Sequence, residues 1–434
     1  MNAAAVNRNS TRRRSLAVTV MLLVALVSTP ATASADVVLE WNAIAARTVL
    51  AGQSPFSQVR LMAITQLAVF EAVNAVTGDY ESYLATPIAA PPGASAEAAA
   101  IVAAHRVLKT YFPSNTSIDT DRATALAAIP NGAPKTDGIA VGEAAAAALT
   151  LLRANDGSAP ATSYLPSSNQ IGEWQPTPSC SPAGGAFYQW KDMTPFAIES
   201  PAQFLLPAPP ALTSNKYAKD SLEVRTMGAS DSVDRPEDRV EVARLYALTS
   251  PSFALSMAAR DIATAKQLSM AENARALALI MMGSNDSLIA SFYNKYHHNL
   301  WRPETAIHAG AMDGNPKTLG DPGFVPFILT PCFPSYPSNH ASGTNGGLEM
   351  MRRLFGAAGH DFTITNSVPP LGSLPGGVIS KRYTQLKQLS DDVDDARVYG
   401  GIHWRFDQEA GNDLGRAIAS EIYKNYLRPV PGSK

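Results

Sequence analysis

The chain has 434 residues, 46% of them apolar and only 17% charged, with 35 basic and 37 acidic side chains for a net charge of −2. No basic excess is present to suggest a nucleic-acid partner. The length admits one large core or two packed domains.

The first 35 residues set a compartment. Arg8, Arg12, Arg13 and Arg14 precede a mostly apolar run from Leu16 to Val27, then Pro30 and Ala33-Ser34-Ala35. A basic region, a short apolar region and an A-x-A site describe an export signal over residues 1–35. The apolar run is shorter than the about 20 residues a membrane span needs. TRRRSL loosely fits a twin-arginine signal, but Ser15 stands where an aromatic is usual, so both general and twin-arginine export remain open. Cleavage removes four arginines and no acid, so the net charge goes from −2 to −6. The expectation is a secreted or cell-envelope protein with no integral span after cleavage, and no second stretch approaches transmembrane length.

Helical patterns dominate the remainder. Ser57 to Val76 is largely apolar and stops at Gly78, which reads as a buried helix with a glycine cap. Ser95 to Tyr111 opens on a preferred N-cap residue. Gly138 to Arg153, Arg239 to Ala247, Ala271 to Tyr296, His340 to Phe355 and Gln408 to Tyr426 complete the set. No segment shows sustained apolar/polar alternation, so the predicted class is all-α. Residues 155–213 break the pattern with ten of the 32 prolines. Trp174, Trp190 and Cys180 in this long excursion argue for packing rather than disorder. Two cysteines in an exported chain invite a Cys180–Cys332 disulfide, the alternative being two separate buried thiols. The tail from Pro429 to Lys434 reads as frayed.

Three segments carry the chemistry. In YPSNHAS (336–342), Ser338 stands at a helix start, where unpaired N–H groups form an anion site; Asn339 and His340 add their own N–H groups. The glycines that follow weaken that helix, so close approach to a neighbouring helix should compensate. In KYHHNLWRP (295–303), Lys295 lies near a helix end, and Pro303 pushes Arg302 into extended geometry, so both cations can converge. His297 and His298 read as surface or packing residues. In ARVYGGIHWRFD (396–407), Gly400-Gly401 ends one helix with Arg397 at its exit and His403 at the start of the next. Asp407, one turn on, can bond one ring nitrogen and leave the other free. The acidic run from Asp391 to Asp395 reads as a solvated helix face, since it lacks the spacing of a calcium loop.

In order, these segments resemble the signature shared by vanadium-dependent haloperoxidases and type-2 phosphatidic acid phosphatases: K-x6-R-P, then P-S-G-H, then S-R-x5-H-x3-D. Lys295, Arg302 and Pro303 match the first element. Pro337, Ser338 and His340 match the second, with Asn339 for glycine, and Arg397, His403 and Asp407 match the third, with Ala396 for serine. EWNAIAARTVLAG, RLMAITQLAVFEAVNAV and the Pro/Trp-rich loop are similar to the secreted bacterial haloperoxidase-like branch. The resemblance implies two packed helical bundles: an N-terminal region over 36–235, and a C-terminal domain over 236–428 that holds the anion pocket.

By the same resemblance, Lys295, Arg302 and Arg397, with Ser338 and the Asn339 backbone, hold the equatorial oxygens of one vanadate per chain. His403 is its axial ligand, or the nucleophile of a phosphatase, with Asp407 behind it. His340 is the acid–base residue, Lys295 polarises peroxide, and Asn339 narrows the pocket. Phe333 resembles the aromatic of chloride-oxidising members. The implied activity is halide oxidation by hydrogen peroxide, with small molecules as the partners. The alternatives are a secreted acid phosphatase working through phosphohistidine, and a non-catalytic envelope protein on the same scaffold. Preferred halide, organic substrate and oligomeric state stay open.

Overall fold

The computed structural model describes Met1 and residues 36–180 and 184–432; residues 2–35 of the expected export signal lie outside the described residues. Val37–Leu50 (α1), Pro55–Thr77 (α2), Ala96–Tyr111 (α3), Ser117–Ala127 (α4) and Ala133–Leu152 (α5) precede the Pro-rich stretch. Asn215–Met227 (α6), Glu237–Leu248 (α7), Pro251–Lys266 (α8), Met270–His298 (α9), Pro303–Ala309 (α10), Asn339–Phe355 (α11), Leu386–Val398 (α12) and Arg405–Asn425 (α13) follow it. The helical class is therefore observed, and each expected helix is present.

Local chemistry explains the boundaries. Ser54 caps α2 by accepting from the Ser57 N–H at 3.1 Å, and Gly78 closes it in left-handed geometry at φ 71°. Ser269 and Glu272 form a reciprocal capping box at the start of α9. By length and composition α2 could cross a membrane, with a mean hydropathy of 1.4, which corrects the expectation that no second stretch approaches that size. Its apolar surface is used otherwise, because 89% of that window is buried inside the protein.

Ahead of the Pro-rich stretch, α3 packs against α2 and α5. Alanines at 98, 99, 103 and 104 form its buried face. Towards the C-terminus, α11 packs between α9 and α13. Gly346 of α11 meets Gly283 of α9 backbone to backbone, and Gly415 of α13 meets Ser342 and Gly346. The glycines that weaken α11 as a helix thus permit its close packing, as the sequence required.

One addition to the all-α expectation is an antiparallel hairpin of Ala358–Val368 (β1) and Gly377–Gln385 (β2), with Thr363 opposite Arg382 and Ser367 opposite Val378. Its alternation was too short to read: Phe362 and Ile364 point inward from β1, Ile379 and Tyr383 from β2. The hairpin packs on α7 and α8.

The excursion over 155–213 is packed, with Trp174 and Trp190 buried. Trp174 N–H donates to the Asn299 carbonyl at 2.8 Å, and Trp301 N–H to the Gly172 carbonyl at 2.9 Å. Cys180 and Cys332 form the disulfide, with Cα atoms 5.3 Å apart. The tail is not frayed up to Val430: Arg428 pairs with Glu81, and Val430 N–H donates to the Asp79 carbonyl at 3.0 Å.

The acidic run needs a second correction. Asp391 is solvated beside Lys387, but Asp394 is buried and accepts from Asn412 Nδ2 at 2.7 Å. Burial pushes the Asp394 carboxyl up to about 7. No cluster of metal-ligating side chains occurs among the described residues.

Candidate functional site

Ser338 caps α11 from extended geometry, its hydroxyl accepting from the Ala341 N–H at 3.4 Å. Its own N–H donates to the Asp407 carbonyl at 3.0 Å, which ties the start of α11 to the start of α13. The first N–H groups of α11 have no acceptor within the helix. Asn339, which takes the place of a glycine, is anchored by a 2.7 Å bond from the Ser291 hydroxyl of α9 to its Oδ1.

The three predicted cations are all buried. Lys295, in the last turn of α9, donates from Nζ to the carbonyls of Pro334 at 2.9 Å, Ser335 at 2.7 Å and Pro337. Three acceptors match the three N–H groups of an ammonium, although burial and the Arg302 charge push its pKa well below the usual lysine value. Arg302 has the extended φ of −85° and ψ of 155° expected before proline. Its Nε donates to the Phe333 carbonyl at 2.7 Å, and its Nη1 to the Ile402 carbonyl at 2.9 Å and to His403 Nε2 at 3.0 Å. Arg397 of α12 donates to the Tyr246 carbonyl at 3.2 Å. Burial lowers Arg302 to about 9 and Arg397 to about 10.

Two guanidinium nitrogens, Arg302 Nη2 and Arg397 Nε, are buried without a protein partner among the described residues. An unsatisfied buried donor costs about 1–3 kcal/mol, more when charged. An oxyanion with several acceptor oxygens relieves that cost, so the donor set fits a tetrahedral or trigonal-bipyramidal oxyanion.

His403 precedes α13, and its Nδ1 meets Asp407 Oδ2 at 2.7 Å. The carboxylate fixes the proton on Nδ1, leaving the Nε2 lone pair to accept from Arg302. Asp407 Oδ2 also accepts from the Ser335 hydroxyl at 2.5 Å and the Trp404 N–H at 3.2 Å. Burial raises the Asp407 carboxyl to about 6, against the Ser335 bond and the Lys295 and Arg302 charges. Both site histidines go the other way. Burial and the neighbouring cations hold His340 and His403 well below 6.5, so both are neutral at pH 7.

Phe333 covers two of the cations, its ring centroid 5.2 Å from Lys295 Nζ and 4.9 Å from the Arg302 guanidinium carbon. Beyond it opens a cavity of about 560 Å³, lined in part by Phe333, His340 and Arg397. His297 is exposed and His298 packs on Tyr336, so neither joins the site.

Every other predicted site residue converges here. Sequence reasoning missed Ser335, whose hydroxyl anchors Asp407, and the backbone carbonyls of 333–337 that hold Lys295 and Arg302. No side-chain pattern encodes a carbonyl contact.

Residues 275–432 match the family described as the VCPO second helical-bundle domain. The vanadium chloroperoxidase of Curvularia inaequalis is 27% identical over 188 residues, 34% of this chain; the match spans 30% of that protein's length. A bacterial vanadium-dependent iodoperoxidase structure is 24% identical at a TM-score of 0.75, covering 94% of this chain and all of that one. The holo form of a bacterial vanadium-dependent chloroperoxidase is 18% identical at a TM-score of 0.68, covering 87% of this chain and 93% of that chain. At these identities the structural matches show a shared fold. Lys295, Arg302, Ser338, His340, Arg397, His403 and Asp407 all lie within the matched domain, so residues 275–432 form a helical bundle of that description and the chain shares the fold of the vanadium-dependent haloperoxidase structures.

Proposed function

We propose that the chain is a vanadate-dependent haloperoxidase that oxidises halide with hydrogen peroxide to a halogenating species. The observation that carries this reading is the pair of buried guanidinium nitrogens, without partner among the described residues, near a His403 whose tautomer Asp407 fixes. Lys295, Arg302, Arg397, Ser338 and the Asn339 N–H would hold the vanadate oxygens, and His403 Nε2 would ligate the vanadium. Bound vanadate supplies Lewis-acid activation of peroxide.

The protein groups do the rest. Arg302 and Arg397 spread positive charge where oxyanion charge sits. Asp407 keeps the His403 lone pair available. His340, neutral at pH 7, takes a proton from incoming peroxide and returns it to a leaving oxygen. Lys295 is the exception among the cations, since its three N–H groups are on carbonyls; to polarise an oxygen it must give up one of them. The same reading places the chain outside the cytosol, consistent with a disulfide in an exported protein.

The test uses protein stripped of anions and reconstituted with orthovanadate, assayed for bromination of a phenolic dye with peroxide and for hydrolysis of a chromogenic phosphate ester. Vanadate-dependent bromination that vanishes in His403→Ala supports the proposal. Ester hydrolysis that vanadate abolishes, with no halogenation, replaces it with a phosphatase. Neither activity leaves a scaffold protein.

A further inference from the structure

The cavity beside the anion site is lined by a second arginine besides Arg397, one that the anion chemistry does not use. Arg244 of α7 lines it and is only 9% exposed. Its Nη2 donates to the carbonyls of Pro369 at 2.9 Å and Pro375 at 2.6 Å, which fixes the guanidinium against the hairpin connection. Its Nε is buried with no partner among the described residues. The remaining walls are mostly apolar and include Phe56, Phe187, Leu329, Val368 and Leu371. No acidic side chain among the described residues lines the cavity, and about 560 Å³ lies within the range of small-molecule sites.

We infer that this cavity binds an aromatic organic acid, with its ring against the apolar walls and its carboxylate on Arg244, next to His340 and Arg397. A preorganised cation with an unused donor selects a carboxylate, and an apolar chamber of this size selects the ring. Binding does not depend on the haloperoxidase reading; the fate of the bound acid does. Under that reading, peroxide oxidises halide to hypohalous acid, one oxygen going to the halogen and the other, with one proton taken up from solvent, leaving as water. The hypohalous acid then transfers its halogen to a ring carbon, the ring proton leaves, and the oxygen departs as water. The bound acid is then the organic acceptor.

Calorimetric titration with 2-naphthoate and its neutral counterpart 2-naphthamide, with inorganic phosphate present and peroxide absent, tests this. The wild type should bind naphthoate at least tenfold more tightly than naphthamide. Arg244→Gln puts a neutral N–H donor at about the place of the arginine Nε and loses the charge, so it should reduce naphthoate to the amide level. It should leave naphthamide within twofold. Leu329→Trp, at a position 76% exposed and so harmless to folding, should block both probes. Unchanged naphthoate affinity in Arg244→Gln overturns the inference, as does unchanged binding in Leu329→Trp or no binding by the wild type. Binding that persists while the reconstituted protein fails to halogenate would count against the haloperoxidase reading alone.

Discussion

Asp407→Asn tests the buried network with almost no change in volume. One carboxylate oxygen accepts from His403 Nδ1, Ser335 Oγ and the Trp404 N–H. An amide oxygen can replace the first of these contacts, but only as a neutral acceptor. Exchanging a charge-assisted bond of about 1.5–3 kcal/mol for a neutral one of about 0.5–1.5 kcal/mol loses about 1–1.5 kcal/mol on the imidazole alone. The imidazole also loses basicity at Nε2, and replacing such supporting carboxylates typically costs about 10–100-fold in affinity. Orthovanadate and phosphate, titrated by calorimetry at pH 8, should therefore each bind about 10–100-fold more weakly, with near-UV circular dichroism unchanged. At pH 8 the wild-type carboxyl is ionised, since its pKa is about 6. For phosphate, the gap between wild type and variant should narrow below pH 6, where Asp407 itself becomes neutral. Affinities within twofold of wild type at pH 8 would refute the reasoning.

Three further expectations concern stability. Asp394, raised to about 7, takes up a proton more readily folded than unfolded, so its burial penalty is small near pH 4, grows as pH rises and is complete above 7. That penalty is at most roughly 4 kcal/mol, and Asp394→Asn should raise the melting temperature at pH 8 and lose most of that advantage by pH 4 in thermal scans. Gly346→Ala drives a methyl into the Gly283 carbonyl and Ser287, and urea unfolding should show a loss of about 1–3 kcal/mol. Cys180 and Cys332 are 152 residues apart; opening that loop in the Cys180→Ala/Cys332→Ala double variant should cost about 2–5 kcal/mol by denaturant titration.

The sequence was most legible where a residue's local chemistry decided its geometry. Ser338 as a cap, Arg302 as the extended residue before proline, and Asp407 one turn after His403 each follow from neighbours within four positions. The hairpin was less legible, because its inward alternation runs unbroken only over His360, Phe362 and Ile364, and β2 adds no more than Ile379 and Tyr383. Asp394 was read as solvated because the charges around it are; it is buried where α12 packs into the bundle and Asn412 of α13 meets it. Ser335 and Arg244 carried no signal at all. Their partners are 72 and 125 to 131 residues away in the chain, and no local pattern reports such contacts.

The peptide oxygens of 333–337 hold Lys295 and Arg302 through four hydrogen bonds. Every amino acid offers the same oxygen, so exchanging the side chain at Phe333 can reshape the rim of the cavity and leave the charges in place. Substrate preference can therefore drift in this segment while the electrostatics stand still. Changes in length are another matter: one residue inserted or deleted here shifts the spacing of those oxygens, and both cations lose their seats without any charged residue having been touched.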